Sequence, residues 1–242
     1  NLCLNAGLFG REVNGSLSQF VCLESKYAHV LPANISLSEA TIIETLATVL
    51  HAQNRAELAN NESVVVLGQG TAGLLHTQLA LNRGASNVIG ISRSNWKLDL
   101  AKRMGAQHVI SADIEDSVDA VIQLTGGLGA DLIIDTTGAA TALKAGINML
   151  RPGGRILAFS VSHKFLKDFS AFSLYYKEIN IIGSRALTAA DMQPSIDLVS
   201  SGKIKVSELI TRKYPLNKTA EAFEEYEQNP DQILRILIDS RI

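Results

Sequence analysis

The feature that most constrains the fold is a repeat of short apolar segments, each followed by a stretch long enough for a helix. The strongest apolar segments lie at 63–67, 87–91, 131–135 and 155–159, and weaker ones lie at 108–110 and 179–182. Segments that are apolar throughout are typical of strands covered on both faces of a sheet. Their alternation with helix-length stretches, such as 72–82 and 95–104, predicts an α/β fold with a doubly wound parallel sheet of the Rossmann type.

A glycine-rich loop, GQGTAG, follows the first of these strands directly. It places Gly68, Gly70 and Gly73 around the start of a helix that begins with Thr71 and Ala72. In dinucleotide-binding folds the first glycine allows a tight turn, the second lets backbone approach a pyrophosphate, and the third lets the helix pack on the strand. Backbone N–H groups and the helix dipole then bind phosphate. A glycine-rich turn without a ligand is the alternative, but the flanking strand and helix favour a dinucleotide site.

The end of the second strand bears on which dinucleotide is bound. Folds that bind NAD place an Asp or Glu here for the ribose hydroxyls, whereas this chain has Ser92 and Arg93, with Lys97 one turn into the next helix. Ser92 leaves room for a 2′-phosphate, and Arg93 can offer it charge-assisted hydrogen bonds. We therefore predict NADP(H) in preference to NAD(H). The alternative is that Arg93 is a solvated loop residue or stacks on adenine.

The two ends of the chain do not continue the repeat of apolar segments and helix-length stretches. We expect a short extended run at 18–23, then a helix that begins near Ser38, with Ser36 or Ser38 as its N-cap. From about residue 187 onward, the sequence pattern predicts helices at 191–200 and 218–227, and strands near 209–211 and at 232–238.

Composition and charge exclude several kinds of partner. The 242 residues are 46% hydrophobic and 19% charged, and the formal net charge of -2 gives no basic field for nucleic acid. No apolar run approaches the roughly 20 residues of a membrane-spanning helix, and the opening NLCLNAGLFGRE lacks the core of a signal peptide. Two cysteines cannot form a disulfide framework, which favours a cytoplasmic location. We expect neither nucleic acid nor a membrane as partner.

An ordered set of segments runs along the chain, at 31–40, 43–48, 64–70, 101–106 and 150–155. Together they resemble the medium-chain dehydrogenase/reductase superfamily, in its zinc-dependent sorbitol and threonine dehydrogenase branch. The resemblance implies the remainder of a GroES-like, β-rich catalytic domain at 1–52 and a Rossmann domain at 53–186. The return at 187–242 would complete the Rossmann edge and the catalytic domain. It also implies that intact members begin roughly one hundred residues earlier, so we expect the chain to lack most of the catalytic domain.

The resemblance also implies residues for metal sites. Glu44 resembles the acidic residue at or beside the catalytic zinc of polyol-type members, and Cys3 resembles the last thiolate of a four-cysteine structural zinc lobe. Because structural zinc needs four ligands, Cys3 by itself supports only a lone cysteine near the terminus. Glu44 has an alternative as a helix-surface glutamate, since Ile42, Ile43 and Leu46 surround it with a core-like pattern.

Further cofactor contacts follow from the same resemblance. Thr48, on the same predicted helix as Glu44, matches a position that touches the nicotinamide ring. Thr137 follows a strand end where the nicotinamide ribose lies, and Ser160 lies in the stretch that binds the carboxamide. Arg185 and Arg235 match arginines near the cofactor phosphates or the zinc-site carboxylate, with surface ion pairs as their alternative.

The implied activity is that of an oxidoreductase that moves hydride between a nicotinamide cofactor and an alcohol or polyol, with zinc as a Lewis acid. The partner would be a small-molecule alcohol or carbonyl compound. The segment at 179–183 resembles the edge strand through which such enzymes dimerise, so we expect a homodimer or homotetramer. Two alternatives stay open: a zinc-independent quinone or enone reductase of the same superfamily, and a non-catalytic nucleotide-binding module.

Overall fold

The computed structural model describes residues 1–5, 7–162 and 169–241. The chain divides into two compact units. One is formed by Asn1–Glu44 together with Gln193–Ile242, and the other is formed by Thr45–Met192.

The second unit contains a six-stranded sheet in which every pairing is parallel. Its strands are β1 (Ser63–Leu67), β2 (Asn87–Ser92), β3 (His108–Ser111), β4 (Ala130–Asp135), β5 (Leu150–Ala158) and β6 (Asn180–Gly183). All six segments predicted as strands form strands, and the doubly wound α/β fold is confirmed. The strand order is β3-β2-β1-β4-β5-β6, so the winding reverses between β1 and β4. Sheets of this kind bind ligands at such a switch point.

Apolar side chains cover both faces of this sheet. In β1, Val65 and Leu67 belong to one buried cluster, whereas Val64 and Val66 belong to another. Successive strand residues point to opposite faces, so a strand with two buried faces must be apolar at every position. This explains why the central strands β1, β2 and β4 read as largely apolar runs.

The helices of the described residues pack around these strands or lie in the first unit, and those that begin at residues 37, 71, 95, 189 and 219 are close to the predicted ones. The helices are α1 (Leu37–Arg55), α2 (Thr71–Asn82), α3 (Asn95–Arg103), α4 (Ser117–Leu124), α5 (Ala140–Met149), α6 (Phe172–Lys177), α7 (Ala189–Ser200) and α8 (Thr219–Gln228). None of the helices in the described ranges has the length and apolar character that crossing a membrane requires.

Helix α1 begins with a capping box. Ser36 Oγ accepts from the Glu39 N–H at 3.2 Å, and Glu39 Oε2 accepts from the Ser36 N–H at 3.0 Å. These bonds satisfy N–H groups that the helix itself cannot, and the hydrogen bonds from Ser36 lower the pKa of Glu39. Of the two predicted N-caps, Ser36 is therefore the one that caps α1, and Ser38 lies inside the helix.

The predicted extended run at 18–23 does not form a strand. Phe20, Val21 and Leu23 are exposed, and no strand of the described residues pairs with this run. A local extended pattern forms a strand only when a neighbouring strand offers backbone partners.

At the C-terminal end, β7 (Ile210–Pro215) and β8 (Arg235–Asp239) form a two-stranded parallel sheet joined by α8. Both strands begin later than predicted. Leu209 belongs instead to a 3-10 turn, where it is fully buried. Its apolar character reflects packing in that turn, which a strand pattern cannot distinguish.

Candidate dinucleotide-binding site

Two of the three glycines in the loop after β1 are required by the backbone itself. Gly68 has a φ of +88°, and an added Cβ would lie 2.8 Å from Thr136 Oγ1. At Gly73 an added Cβ would collide with the carbonyl oxygen of Gly68. The first glycine therefore permits the tight turn, and the third permits close packing of α2 on that turn.

Gly70 is different, because nothing in the described chain demands a glycine there. Its φ is −74°, which any residue can adopt, and an added Cβ would meet no atom within 4 Å. The position opens into empty space at the N-terminus of α2, beside the switch point of the sheet. A side chain is absent where a ligand could approach the backbone.

The first turn of α2 offers hydrogen-bond donors to this space. Gly70 is the N-cap and supplies no side-chain cap, and the first helical bond runs from the Leu74 N–H to Gly70 O at 2.9 Å. The N–H groups of Thr71, Ala72 and Gly73 have no carbonyl partner within the helix. Thr71 Oγ1 is buried without a hydrogen-bond partner among the described residues. Uncapped donors at the positive end of a helix dipole fit a pyrophosphate.

Gln69, between the first two glycines, anchors the turn from inside and was not predicted. Its side chain is buried; Nε2 donates to Val66 O at 3.1 Å, and Oε1 accepts from Thr77 Oγ1 at 3.1 Å. The amide passes so close to β2 that a Cβ on Gly90 would lie 3.0 Å from Nε2. A glycine inside a strand marks close approach of another group, so Gly90 was the available signal.

The ends of β4 and β5 bring two further predicted residues together. The buried carboxylate of Asp135 accepts from the Thr137 N–H at 2.9 Å and from Thr137 Oγ1 at 2.7 Å. The Ser160 N–H donates to Asp135 O at 3.2 Å, and a Cβ on Gly138 would lie 3.1 Å from Ser160 Oγ. Thr137 and Ser160 thus lie at neighbouring strand ends, on the same edge of the sheet as the glycine loop.

The end of β2 carries the residues predicted to choose between dinucleotides. Ser92 Oγ accepts from the Ser94 N–H at 3.2 Å. Arg93 is exposed, and no residue of the described ranges forms a hydrogen bond or ion pair with its side chain. Lys97, in the first turn of α3, has its Nζ 5.6 Å from the centroid of the Trp96 ring. The guanidinium of Arg93 is therefore available to an anion.

The remaining predicted residues lie elsewhere in the two units. Glu44 is exposed on α1, and Thr48 is half-buried there, with Oγ1 donating to a backbone carbonyl one turn earlier at 2.7 Å. Arg185 is exposed after β6, and Arg235 is half-buried in β8. Cys3 is an exposed free thiol.

The described residues do not assemble a zinc site by themselves. No group of three or more His, Cys, Asp or Glu side chains within these ranges could hold a metal ion. Structural zinc has four protein ligands and catalytic zinc has three, so Glu44 and Cys3 would each supply one ligand of a larger set. We derive no chemical step through a metal from this chain.

Comparison with known proteins identifies relatives of matching architecture. Residues 72–201 match the family described as zinc-binding dehydrogenase. The D-arabitol-phosphate dehydrogenase of Enterococcus avium is 31% identical over 242 residues, which cover 99% of this chain and 68% of that protein. The sorbitol dehydrogenase of Halalkalibacterium halodurans is 31% identical over 224 residues, which cover 92% of this chain and 65% of that protein.

A solved structure has the same fold. It is a Sinorhizobium meliloti protein of the zinc-binding dehydrogenase type with NADP bound, and it superposes with a TM-score of 0.89 at 25% identity. The match covers 98% of this chain and 69% of that one. The chain spans 68% and 65% of the length of the two sequence relatives. The family resemblance in the sequence is confirmed: the chain belongs to the zinc-binding dehydrogenase family, in its polyol dehydrogenase branch.

Proposed function

We propose that the protein containing this chain is an oxidoreductase that transfers hydride between a nicotinamide dinucleotide and an alcohol or polyol, or the corresponding ketone. The observation that carries the proposal is the open space at Gly70, where neither φ nor packing requires glycine and uncapped N–H groups begin α2. Relatives named for D-arabitol phosphate and sorbitol support a small polyol as substrate.

The cofactor would supply the hydride chemistry, and the residues of this chain would bind and orient it. The N–H groups of Thr71, Ala72 and Gly73 would neutralise the pyrophosphate. Thr137 and Ser160, at the ends of β4 and β5, would lie along the nicotinamide half. Because those donors are fixed by strand ends, they would hold the nicotinamide in one orientation.

Five further residues keep their predicted roles as part of this proposal. Thr48 would touch the nicotinamide ring, and Arg185 and Arg235 would lie near the cofactor phosphates or the zinc-site carboxylate. Glu44 would join the catalytic zinc and Cys3 a structural zinc, each with ligands that the described residues do not supply.

We also propose that NADP(H) is preferred over NAD(H). Arg93 is exposed and unpaired within the described ranges, and Ser92 beside it carries no charge that would repel a 2′-phosphate. A charge-assisted hydrogen bond contributes roughly 1.5–3 kcal/mol, which corresponds to about ten- to hundredfold in affinity.

A dimer through β6 is the oligomer that we propose. β6 is the last strand of the sheet and pairs with β5 alone among the described strands, and Ile181 is 44% exposed. An unpaired strand edge presents N–H and C=O groups to which a second copy can add. Sedimentation analysis would show a monomer if this proposal is wrong.

We propose a cytoplasmic location as well. Cys3 and Cys22 are both exposed free thiols, a state that a reducing compartment maintains. Fractionation of cells that express the protein would test this, and recovery from the extracellular fraction would overturn it.

The proposed cofactor site is tested by adding side chains at Gly70. Gly70→Ala should weaken NADPH binding at least about tenfold, and Gly70→Asp should abolish it, because both fill the space of the pyrophosphate and the second adds a repelling charge. Binding is measured by titration of NADPH fluorescence. Gly183→Ala is the matched control, since it also has an ordinary φ and no atom within 4 Å of an added Cβ. Equal affinity of the Gly70 variants and wild type would reject the site.

The proposed preference for NADP(H) is tested at Arg93. Arg93→Ala should weaken NADPH at least about tenfold and leave NADH nearly unchanged. Arg103→Ala removes the same charge at the far end of α3, roughly 13 Å away along the helix, beyond the Debye length of about 8 Å. Equal losses for NADPH and NADH would show that Arg93 does not contact the 2′-phosphate.

The proposed reaction requires an assay of the protein with its metal. Alcohols and polyols are screened for dinucleotide-dependent oxidation while zinc content is measured. Turnover that persists after zinc is removed would favour the zinc-independent reductase. Tight dinucleotide binding without turnover of any alcohol or carbonyl compound would favour the non-catalytic module.

A further inference from the structure

Thr136, the first residue after β4, ties that strand end to the glycine loop after β1. Its N–H donates to Leu67 O at 3.0 Å. Its hydroxyl oxygen lies 2.8 Å from Leu67 O and 3.2 Å from Gly68 O, so the single hydroxyl proton is shared between two carbonyls of the turn. This contact spans the switch point, between strands that are neighbours only because of the sheet topology.

The turn is shaped around this hydroxyl. Thr136 Oγ1 is 2.8 Å from the position of a Cβ on Gly68 and 3.4 Å from that of a Cβ on Gly73. The oxygen therefore occupies space that two missing side chains leave vacant. Gly68 has a positive φ, and a glycine has access to more backbone conformations than other residues. A contact that selects one of these conformations therefore contributes strongly to the order of the turn.

The opposite side of the turn is held by a different strand. The Gly68 N–H donates to Ile91 O, in β2, at 2.8 Å. The peptide groups on either side of Gly68 are thus fixed from β2 by one bond and from the end of β4 by the N–H and the hydroxyl of Thr136. The orientation of these two peptide groups determines the direction in which the N–H groups of the first turn of α2 point.

We propose that Thr136 is a positioning residue for the dinucleotide, which it does not itself contact. Its hydroxyl holds the turn so that the N–H groups of Thr71, Ala72 and Gly73 converge before the ligand arrives. A site that is already ordered binds more tightly, because less conformational entropy is lost on binding. This inference rests on the proposed function, since it assumes that the loop binds a dinucleotide.

The test compares Thr136→Val, which is close to threonine in size, with Thr136→Ser, which lacks only the methyl group. Thr136→Val removes the hydroxyl, and Thr136→Ser retains it. We expect Thr136→Val to weaken NADPH and NADH equally, by about tenfold, because the pyrophosphate is common to both. Thr136→Ser should stay within about twofold of wild type. Thr136→Ala also removes the hydroxyl and adds no bulk beside Gly68. It replaces the valine variant if that variant folds poorly, and the same loss of about tenfold in affinity is expected.

Thr125→Val provides the matched control. The Thr125 hydroxyl also donates to backbone carbonyls, those of Val121 at 2.7 Å and Ile122 at 3.2 Å, at the end of α4. It should lower the urea midpoint without changing the dissociation constant, which separates general destabilisation from positioning.

Each result has one meaning. Wild-type affinity in Thr136→Val or Thr136→Ala, or an equal loss in Thr136→Ser, would overturn the role of the hydroxyl. A wild-type protein that binds neither NADH nor NADPH would instead overturn the proposed function.

Discussion

His76, in α2, has a pKa far below the usual value of a histidine. The side chain is fully buried, and loss of solvation, followed by the charge of Arg83, lowers the pKa of the imidazole from 6.5 to about 3. Nδ1 lies 3.2 Å from Gln53 Nε2, and the ring meets Phe159 edge-on at a centroid distance of 4.7 Å. The folded protein therefore keeps His76 neutral at pH values where an exposed histidine is charged.

This difference makes folding depend on pH in a calculable way. Above pH 6.5 both the folded and the unfolded chain hold a neutral His76, and the stability is fully present. As the pH falls below 6.5, only the unfolded chain takes up the proton, so the free energy of unfolding decreases until the folded pKa of about 3 is reached. The decrease is about 1.4 kcal/mol per pH unit, or about 2 kcal/mol between pH 7 and pH 5.

The assay is urea unfolding at pH 7, 6 and 5. His76→Phe should lose about 2 kcal/mol less than wild type between pH 7 and pH 5, because it has no imidazole to protonate. His108→Gln, which changes an exposed histidine, should follow wild type. Carboxylates are common to all three proteins, so their contributions cancel in the comparison. An identical pH dependence in His76→Phe, or an NMR titration of the His76 ring near pH 6.5 in the folded protein, would refute this reasoning.

Three further substitutions test local packing by urea unfolding at pH 7. Gly73→Ala should destabilise by about 2 kcal/mol or more, because the new Cβ collides with Gly68 O; a midpoint equal to wild type would contradict the turn geometry. Gly90→Ala should cost about 1–3 kcal/mol, because the buried Gln69 amide must shift to make room for the new Cβ and its hydrogen bonds are strained; full stability would mean that this amide lies elsewhere. Asp116→Ala should cost about 1 kcal/mol through loss of the N-cap of α4, which accepts two backbone N–H groups; Asp116→Asn is the control, and equal losses in both would exclude capping as the cause.

Sequence patterns predicted the central strands of the sheet, β1, β2 and β4, well because these strands are buried on both faces. These strands read as mostly apolar runs because of that burial, whereas the edge strands β3 and β6 are more exposed and give weaker signals. Where burial has another cause the same signal misleads, as at Leu209, which is buried in a turn. Where the described residues offer no partner strand, a locally extended run such as 18–23 does not become a strand.

From the residues themselves, without the family resemblance, the phosphate-binding part of the candidate site was predicted because its motif is local. Gly68, Gly70 and Gly73 lie within six residues, so their spacing is visible in the sequence. Thr136 was not predicted, because it reaches Leu67 O across 69 positions of the chain and only the strand order makes them neighbours. Gln69 lies inside the motif, but its role depends on Thr77 and on the glycine it faces in β2.

The position of β1 in the sheet has a consequence for how the protein is made. β2, the next strand along the chain, pairs with one side of β1, whereas the other side receives β4, where Asp131 bonds to Ser63 across 68 positions of the chain. A ribosome that adds about 5–20 residues per second leaves that side of β1 without its partner for several seconds. β1, the most apolar strand of the domain, thus has the longest interval between the synthesis of its own residues and that of its second neighbour. A chaperone that binds exposed apolar segments would therefore act mainly on the chain in which β4 has not yet been synthesised.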